Sequence, residues 1–406
     1  MPSSSVSQVR FILPPARCLF VAFLLLTQVQ AQSTRKLHRK AILIDTHNDF
    51  PSASIEKQVA LDQPLKGRTH SDLDRFTQGG VDIQVFSIFC GPEQQQPYAW
   101  ANREIDSVQA WAARNPGRMM LVNNSADLQR AVREHKLGAM LGVEGGHMIE
   151  DKLDNLEALY RRGVRYMTLT WNNSTSWASS AADETNPQRN PATPKGLNDL
   201  GKAIVRKMNS LGMIIDMSHV GEQSFWDAMA ITTKPVIASH SCVKKLCPHR
   251  RNLTDDQIRA IAKNGGVVHL NFYAGFIDSS FERKRDAFLA LHQPEVQALV
   301  KDGVQPDYAQ MMVLEKYPDQ LRAILPSLDI LMDHLDYIVR LVGVDHVGMG
   351  SDFDGIEAPP FGLNGVEDFP KITEALRKRG YRKKSIRKIL GGNFIRVLQA
   401  NERPAS

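Results

Sequence analysis

Eight short apolar runs recur along the chain, at Ala41 to Asp45, Asp82 to Phe89, Gly138 to Val143, Val164 to Thr170, Gly212 to Met217, Pro235 to Ser239, Gly265 to Phe272 and Asp345 to Ser351. They are rich in Val, Ile, Leu and Met and mostly unalternating, the pattern of parallel strands buried on both faces. Between most of them apolar residues return every three or four positions, as in Leu153 to Arg162 and Leu197 to Leu211, which predicts helices. Eight strands alternating with helices predict an α/β fold, a (β/α)8 TIM-type barrel.

Two segments break the rhythm. Asp183 to Gly196 is rich in Pro, Asn and Thr and reads as a surface loop over the rim. Phe276 to Leu325 is polar with helical spacing and lies between the seventh and eighth strands. It reads as a solvent-exposed helical insertion, ahead of a lid that shapes substrate access.

The first residues belong to a different kind of segment. Arg10 and Arg17 precede the apolar stretch Cys18 to Leu26, followed by Thr27-Gln-Val-Gln-Ala31. A basic region, a short apolar core and a Val-x-Ala site predict a secretory signal peptide, residues 1–31, cut after Ala31. The run is too short to span a bilayer, and Cys18 opens the apolar run, where a lipoprotein signal would need its cysteine after it. One barrel domain over residues 32–406 is expected, exported to the periplasm or the extracellular space, with no transmembrane anchor.

Loss of Arg10 and Arg17 lowers the formal net charge from +6 to +4. The remaining Lys and Arg are scattered until Arg377-Lys-Arg-Gly-Tyr-Arg-Lys-Lys384, which lacks a set of interleaved aromatics. That run reads as a solvated helix end and turn, and no nucleic-acid partner is expected. Cys90, Cys242 and Cys247 remain; their spacing allows a Cys242–Cys247 disulfide and equally allows three thiols. Without a zinc-knuckle spacing, cysteine is not the expected metal ligand.

The chemistry gathers at the ends of the apolar runs. Five of the eight end near a residue able to bind a metal: His47 and Asp49, Glu144, His219, His240 and Asp352. In a barrel of this kind active sites form at the C-terminal rim of the strands. His47 and Asp49 are two apart, so on a strand they project to the same side and form a chelate. His47, Asp49, Glu144, His219 and His240 together make a binuclear metal set, with about two terminal ligands per ion and Glu144 bridging. Mixed nitrogen and oxygen donors favour Zn2+ over manganese or cobalt. A hydroxide held between two such ions is a nucleophile at neutral pH, so the expected reaction is metal-assisted hydrolysis.

The motifs Asp45-Thr-His-Asn-Asp49, Val143-Glu-Gly-Gly-His147, Tyr166-Met-Thr-Leu-Thr170, Ile215-Asp-Met-Ser-His219, Val236-Ile-Ala-Ser-His-Ser241, Arg250-Arg-Asn252, Asn271-Phe-Tyr273 and Gly350-Ser-Asp-Phe-Asp-Gly355 occur in that order over nearly the whole mature chain. In this the sequence resembles the renal (membrane) dipeptidase family, a branch of the amidohydrolase-type metal-dependent barrels, as a bacterial secreted member. The resemblance implies two zinc ions per chain, one on His47 and Asp49, the other on His219 and His240, with Glu144 bridging. It implies that Asp352 acts as acid/base and receives the free amino group of a dipeptide, and that Arg251 holds the C-terminal carboxylate with its guanidinium fork. Glu144 and Asp352 are then the catalytic carboxylates. A homodimer is also implied, without the cross-links of vertebrate relatives, whose cysteine positions look like Asn173 and Ser279 here.

One departure matters. Relatives carry a His after the Thr-Leu-Thr run where this chain has Trp171, followed by Asn172 and Asn173. That His is understood to contact substrate and stabilise the tetrahedral intermediate; an indole N–H donates one hydrogen bond but carries no charge. Trp171 is therefore expected to bind substrate with altered specificity; either oxyanion stabilisation weakens by a few kcal/mol, or the task passes to Asn172, Asn173 or a metal. His147 is expected to orient the rim, and Asp354 to support the metal centre or a turn from behind.

The expectation is thus a zinc-dependent dipeptidase. Its competitors are hydrolysis of another small amide, such as an N-acyl amino acid, a D-residue dipeptide or a β-lactam, and a non-catalytic envelope barrel that binds peptides. Deaminases and phosphotriesterases of this fold usually bear His-x-His on the first strand, where this chain bears His47-x-Asp49.

Overall fold

The computed structural model describes residues 32–186, 188, 195–304 and 306–402, with side chains described for all of these except 306–308. The expected signal peptide lies outside them. Nine strands form, β1 (Ile44–Asn48), β2 (Ile83–Ile88), β3 (Met119–Leu121), β4 (Leu137–Val143), β5 (Val164–Thr168), β6 (Ile214–Asp216), β7 (Ile237–Ala238), β8 (Val267–Leu270) and β9 (Val347–Met349). All pair in parallel, and β2 bonds both β1 and β4, so eight of them close into a ring while β3 stays outside it. β3 flanks the first half of β4, from Met119 opposite Leu137, and β5 takes over the same edge at Leu141.

The eight ring strands are the eight apolar runs, and the short β3 escaped because three residues carry no readable period. Within the ring every residue except Arg165 is buried, as the unalternating pattern requires. Inside the barrel, Ile44, Ile83, Met140, Tyr166, Ile214 and Val267 share one apolar cluster with Phe394 and Leu398. Those last two belong to the helix Asn393–Asn401, which lies across the N-terminal ends of the strands: Asn393 Nδ2 donates to the carbonyls of Val344 and Val347, and Asn401 Nδ2 to that of Pro235. The bottom of the barrel is plugged and the C-terminal rim is left for function.

Local chemistry sets the helix ends. Helix Asp255–Lys263 begins in a reciprocal capping box between Thr254 and Gln257, and helix Asp199–Leu211 runs from an Asn198 cap to left-handed Gly212 (φ 80°), the usual economy for orphan backbone groups. The basic run from Arg377 spans the end of helix Phe369–Lys378, a turn, and the start of helix Lys383–Arg387. No described helix is long and apolar enough to cross a membrane.

The insertion between β8 and β9 consists of helices Ala274–Ile277, Phe281–Leu291, Gln293–Lys301, Pro306–Lys316 and Pro318–Ile324. It is less open than its polarity suggests, because Phe281, Phe288, Leu289, Val296, Val313 and Leu321 build a small core of their own. The segment expected as a loop from Asp183 begins inside the helix Ala181–Thr185; residues 187 and 189–194 lie outside the described ones.

Gly142 of β4 makes room inside the barrel: a Cβ there would lie 2.1 Å from the ring of Tyr166. Gly142→Ala should therefore cost about 1–3 kcal/mol by overpacking. The measurement is the denaturant midpoint at constant slope; an unshifted midpoint would mean that the Tyr166 ring has room to yield.

Candidate metal centre

The residues singled out at the ends of the apolar runs meet above the C-terminal rim. His47 lies inside β1, and Asp49 opens the helix Phe50–Glu56 without spending its carboxylate on a cap. Glu144 follows β4 directly, His240 stands two residues past β7, and His219 and Asp352 stand three past β6 and β9. His219 (φ 65°) and Asp352 (φ 63°) reach the centre through left-handed backbone, uncommon for residues with a side chain. Asp352 N–H is fixed by the His47 carbonyl at 3.1 Å, and Asp49 N–H by that of Phe353 at 2.9 Å.

The donor atoms converge closely. His47 Nε2 is 3.5 Å from Asp49 Oδ2, 3.5 Å from Glu144 Oε2 and 3.9 Å from Asp352 Oδ1. Glu144 Oε1 faces His219 Nε2 at 2.8 Å and His240 Nε2 at 3.3 Å, so its two oxygens divide between two groups of nitrogens.

Each imidazole is held by its far nitrogen. Tyr166 Oη donates to the Thr46 carbonyl at 3.0 Å and accepts from His47 Nδ1 at 2.8 Å. Ser239 Oγ donates to Asp216 Oδ2 and accepts from His240 Nδ1 at 2.8 Å, and His219 Nδ1 donates to Asn172 Oδ1 at 3.1 Å. With the three protons placed on Nδ1, all three Nε2 lone pairs point into the centre, the arrangement that orients metal-binding histidines. Asp216 is itself held by Thr168 Oγ1 at 2.6 Å and the Ser239 N–H at 2.8 Å.

This set fits a cation. His219 and His240 turn their Nε2 atoms to one another at 3.0 Å, lone pair towards lone pair. His47 Nε2 and Asp49 Oδ1 are buried and have no hydrogen-bond partner among the described residues, an expensive state for buried polar atoms. Burial pushes the Glu144 carboxyl up, yet His47, His219 and His240 around it hold it well below the usual carboxylate range. Burial brings the His219 imidazole down to about 3 and His240 well below its ordinary value, so both rings are neutral, the ligand form. Asp352 is pushed up by burial and by the neighbouring Asp49.

Around the centre, Arg251 is buried, donates from Nη2 to the His240 carbonyl at 3.3 Å and leaves Nε without a partner among the described residues. Asp352 Oδ2 accepts from Asn271 Nδ2 at 2.8 Å. Trp171 packs against Phe89 (centroids 4.8 Å) and lies 6.1 Å from the His219 ring. Asn172 accepts from His219 through Oδ1, a contact that leaves its Nδ2 donors uncommitted. His147 bonds the Cys90 carbonyl through Nε2 at 3.0 Å and so ties two rim loops. Asp354 accepts from the His70 N–H at 2.6 Å, a turn-holding role, and His269 is a buried residue bonded to the Ala238 carbonyl. Cys90, Cys242 and Cys247 are buried free thiols.

Sequence reasoning missed the supporting residues. Tyr166, Asn271, Asp216 and Ser239 stood inside the quoted motifs without a role; the signal they carried was polarity within or beside apolar strands, where each polar group must find a partner.

In fold the chain is similar to a probable dipeptidase, PvdM, from Pseudomonas aeruginosa, at 24% identity, TM-score 0.72, covering 91% of this chain and 98% of that one. It is also similar to a metallo peptidase from Rhodobacter sphaeroides solved with a phosphinate mimic of the dipeptide L-Ala-D-Ala, at 23% identity, TM-score 0.71, covering 89% and 100%. A sequence model of the membrane dipeptidase family, peptidase family M19, matches residues 31–406. The chain therefore belongs to the membrane dipeptidase family, enzymes that hydrolyse dipeptides with the help of a metal.

Proposed function

We propose that the enzyme works with two zinc ions per chain, one on His47 and Asp49, one on His219 and His240, with Glu144 between them. The observation that carries this reading is the convergence of three Nδ1-anchored imidazoles on a carboxylate whose two oxygens face different partners. The mixed donor set supports zinc. A bound metal pair supplies Lewis acidity to the scissile carbonyl and a water acidic enough to attack at neutral pH.

The chain's own residues bind and orient the substrate. Arg251, buried with donors to spare, receives the C-terminal carboxylate in a planar fork. Asp352 receives the free amino group and hands a proton to the leaving amine, its Oδ2 held in place by Asn271. Trp171, backed by Phe89, forms an apolar wall beside His219 and changes side-chain preference relative to enzymes with an imidazole there. The phosphinate mimic of L-Ala-D-Ala bound by the Rhodobacter sphaeroides protein supports including dipeptides with a C-terminal D-residue. Export is part of the same proposal and rests on the sequence of residues 1–31, and a homodimer on the family resemblance alone.

Three outcomes are expected. Across a panel of L,L and L,D dipeptides, amino acid release should stop on chelation and return with zinc; a panel with no chelator-sensitive release from any member would overturn the reading. Asp352→Asn should lower kcat roughly 10²–10⁴-fold while metal content per chain stays the same. Tyr166→Phe frees His47 Nδ1 and should weaken metal binding about 10–100-fold, read as metal retained on dialysis against graded chelator; full retention would remove Tyr166 from the support of the site.

A further inference from the structure

Beside the metal centre the rim opens a cavity of about 450 Å³ between helix Ala181–Thr185 and the loop that follows β7. Ala182, Thr185 and Asn186 line one side, Lys244, His249 and Arg250 the other. Both sides are tied to the site through the backbone. Ala181 N–H donates to the carbonyl of His219 at 2.8 Å, and Arg250 precedes Arg251, whose backbone N–H donates to His249 Nδ1 at 3.1 Å.

Among the described residues that line this cavity, charge has one sign. The side chains of Lys244 and Arg250 have no hydrogen-bond or ion-pair partner among the described residues. His249 is stacked on Phe276 (centroids 4.6 Å), and since its Nδ1 accepts a hydrogen bond, the ring keeps its proton on Nε2, a further donor. Burial takes this imidazole down to about 3, and Arg250, Arg251, Arg285 and Lys244 around it act in the same direction. The carboxylates of the opposite helix are occupied elsewhere: Asp183 accepts from the Ser174 N–H at 2.8 Å, and Glu184 from Ser179 Oγ at 2.5 Å and the Gln223 N–H at 3.1 Å.

We propose that this cavity is the subsite for the side chain of the substrate's C-terminal residue, and that Lys244, His249 and Arg250 select an acidic side chain there. The proposal rests on the dipeptidase reading and on Arg251 holding the α-carboxylate. A dipeptide anchored on Arg251, with its carbonyl at the metal centre, carries its second side chain towards the two segments that flank the cavity, one bonded to the His219 carbonyl and the other leading into Arg251. Two unpaired cations then meet one carboxylate, and a neutral amide of the same shape gains far less.

The test compares Ala-Asp with Ala-Asn, each with L- and D-residues at the C-terminal position, on the metal-loaded enzyme at low ionic strength. For the preferred enantiomer, kcat/KM for the acid should exceed that for the amide about tenfold, mostly through KM, and the ratio should shrink at high salt. In the double variant Lys244→Ala, Arg250→Ala the ratio should fall to about one, whereas Lys244→Arg, Arg250→Lys should keep it. A wild type without preference for the acid, or a preference that survives the alanine pair, overturns the proposal. If neither dipeptide is hydrolysed, the dipeptidase reading fails on its own account, and calorimetric titration then decides the cavity: tighter Ala-Asp binding lost in the alanine pair upholds it, and equal binding overturns it.

Discussion

Three carboxylates and three imidazoles share one buried volume at the mouth of this barrel, and their charge balance is the constraint on which the rest depends. Asp49, Glu144 and Asp352 all stand within 3.9 Å of a single nitrogen, His47 Nε2. Anions packed so closely in a medium of low polarity repel strongly unless a positive charge lies among them. The protein meets this partly with His47: burial lowers its imidazole, but Tyr166, Asp49 and Glu144 together hold it well above the ordinary value. A metal would take over that task and release the proton, which couples metal binding to pH and to folding.

The scaffold below serves to hold this charge cluster in register. Tyr166, Ser239 and Asn172 each restrain one ring through Nδ1, and behind them lie a strand carbonyl and the Asp216 carboxylate. Asp45, fully buried below the site, accepts from Ser351 N–H and Oγ at 2.7 and 2.6 Å and so fixes the turn that presents Asp352. Position and tautomer come from the same hydrogen bonds, so the barrel and the site are a single construction rather than a frame with groups attached.

Much of this was legible in the chain. The eight ring strands could be read because burial on both faces leaves an unbroken apolar run, and the metal-type residues because they recur where those runs stop. What lay beyond reach was three-dimensional. Nothing in the spacing says that Gly142 clears space for Tyr166, or that Asn172 faces His219. Nor does the polarity of the insertion disclose that Phe281, Phe288 and Leu321 find one another. Cys242 and Cys247 show the same limit: spacing left their state open, and the fold directs them to different backbone carbonyls, those of Asn271 and Gly275.

The left-handed backbone at His219 and Asp352 sets robustness against activity. A β-carbon in that conformation costs on the order of 1 kcal/mol or more relative to glycine, and here it is borne at two of the positions to which the proposed chemistry is assigned. Substitution by glycine at either would relieve the chain and erase a working group, so a screen that rewarded thermal resistance alone would drift towards a sturdier, inert barrel. Endurance and turnover are separable properties in this molecule, and they part company at its rim.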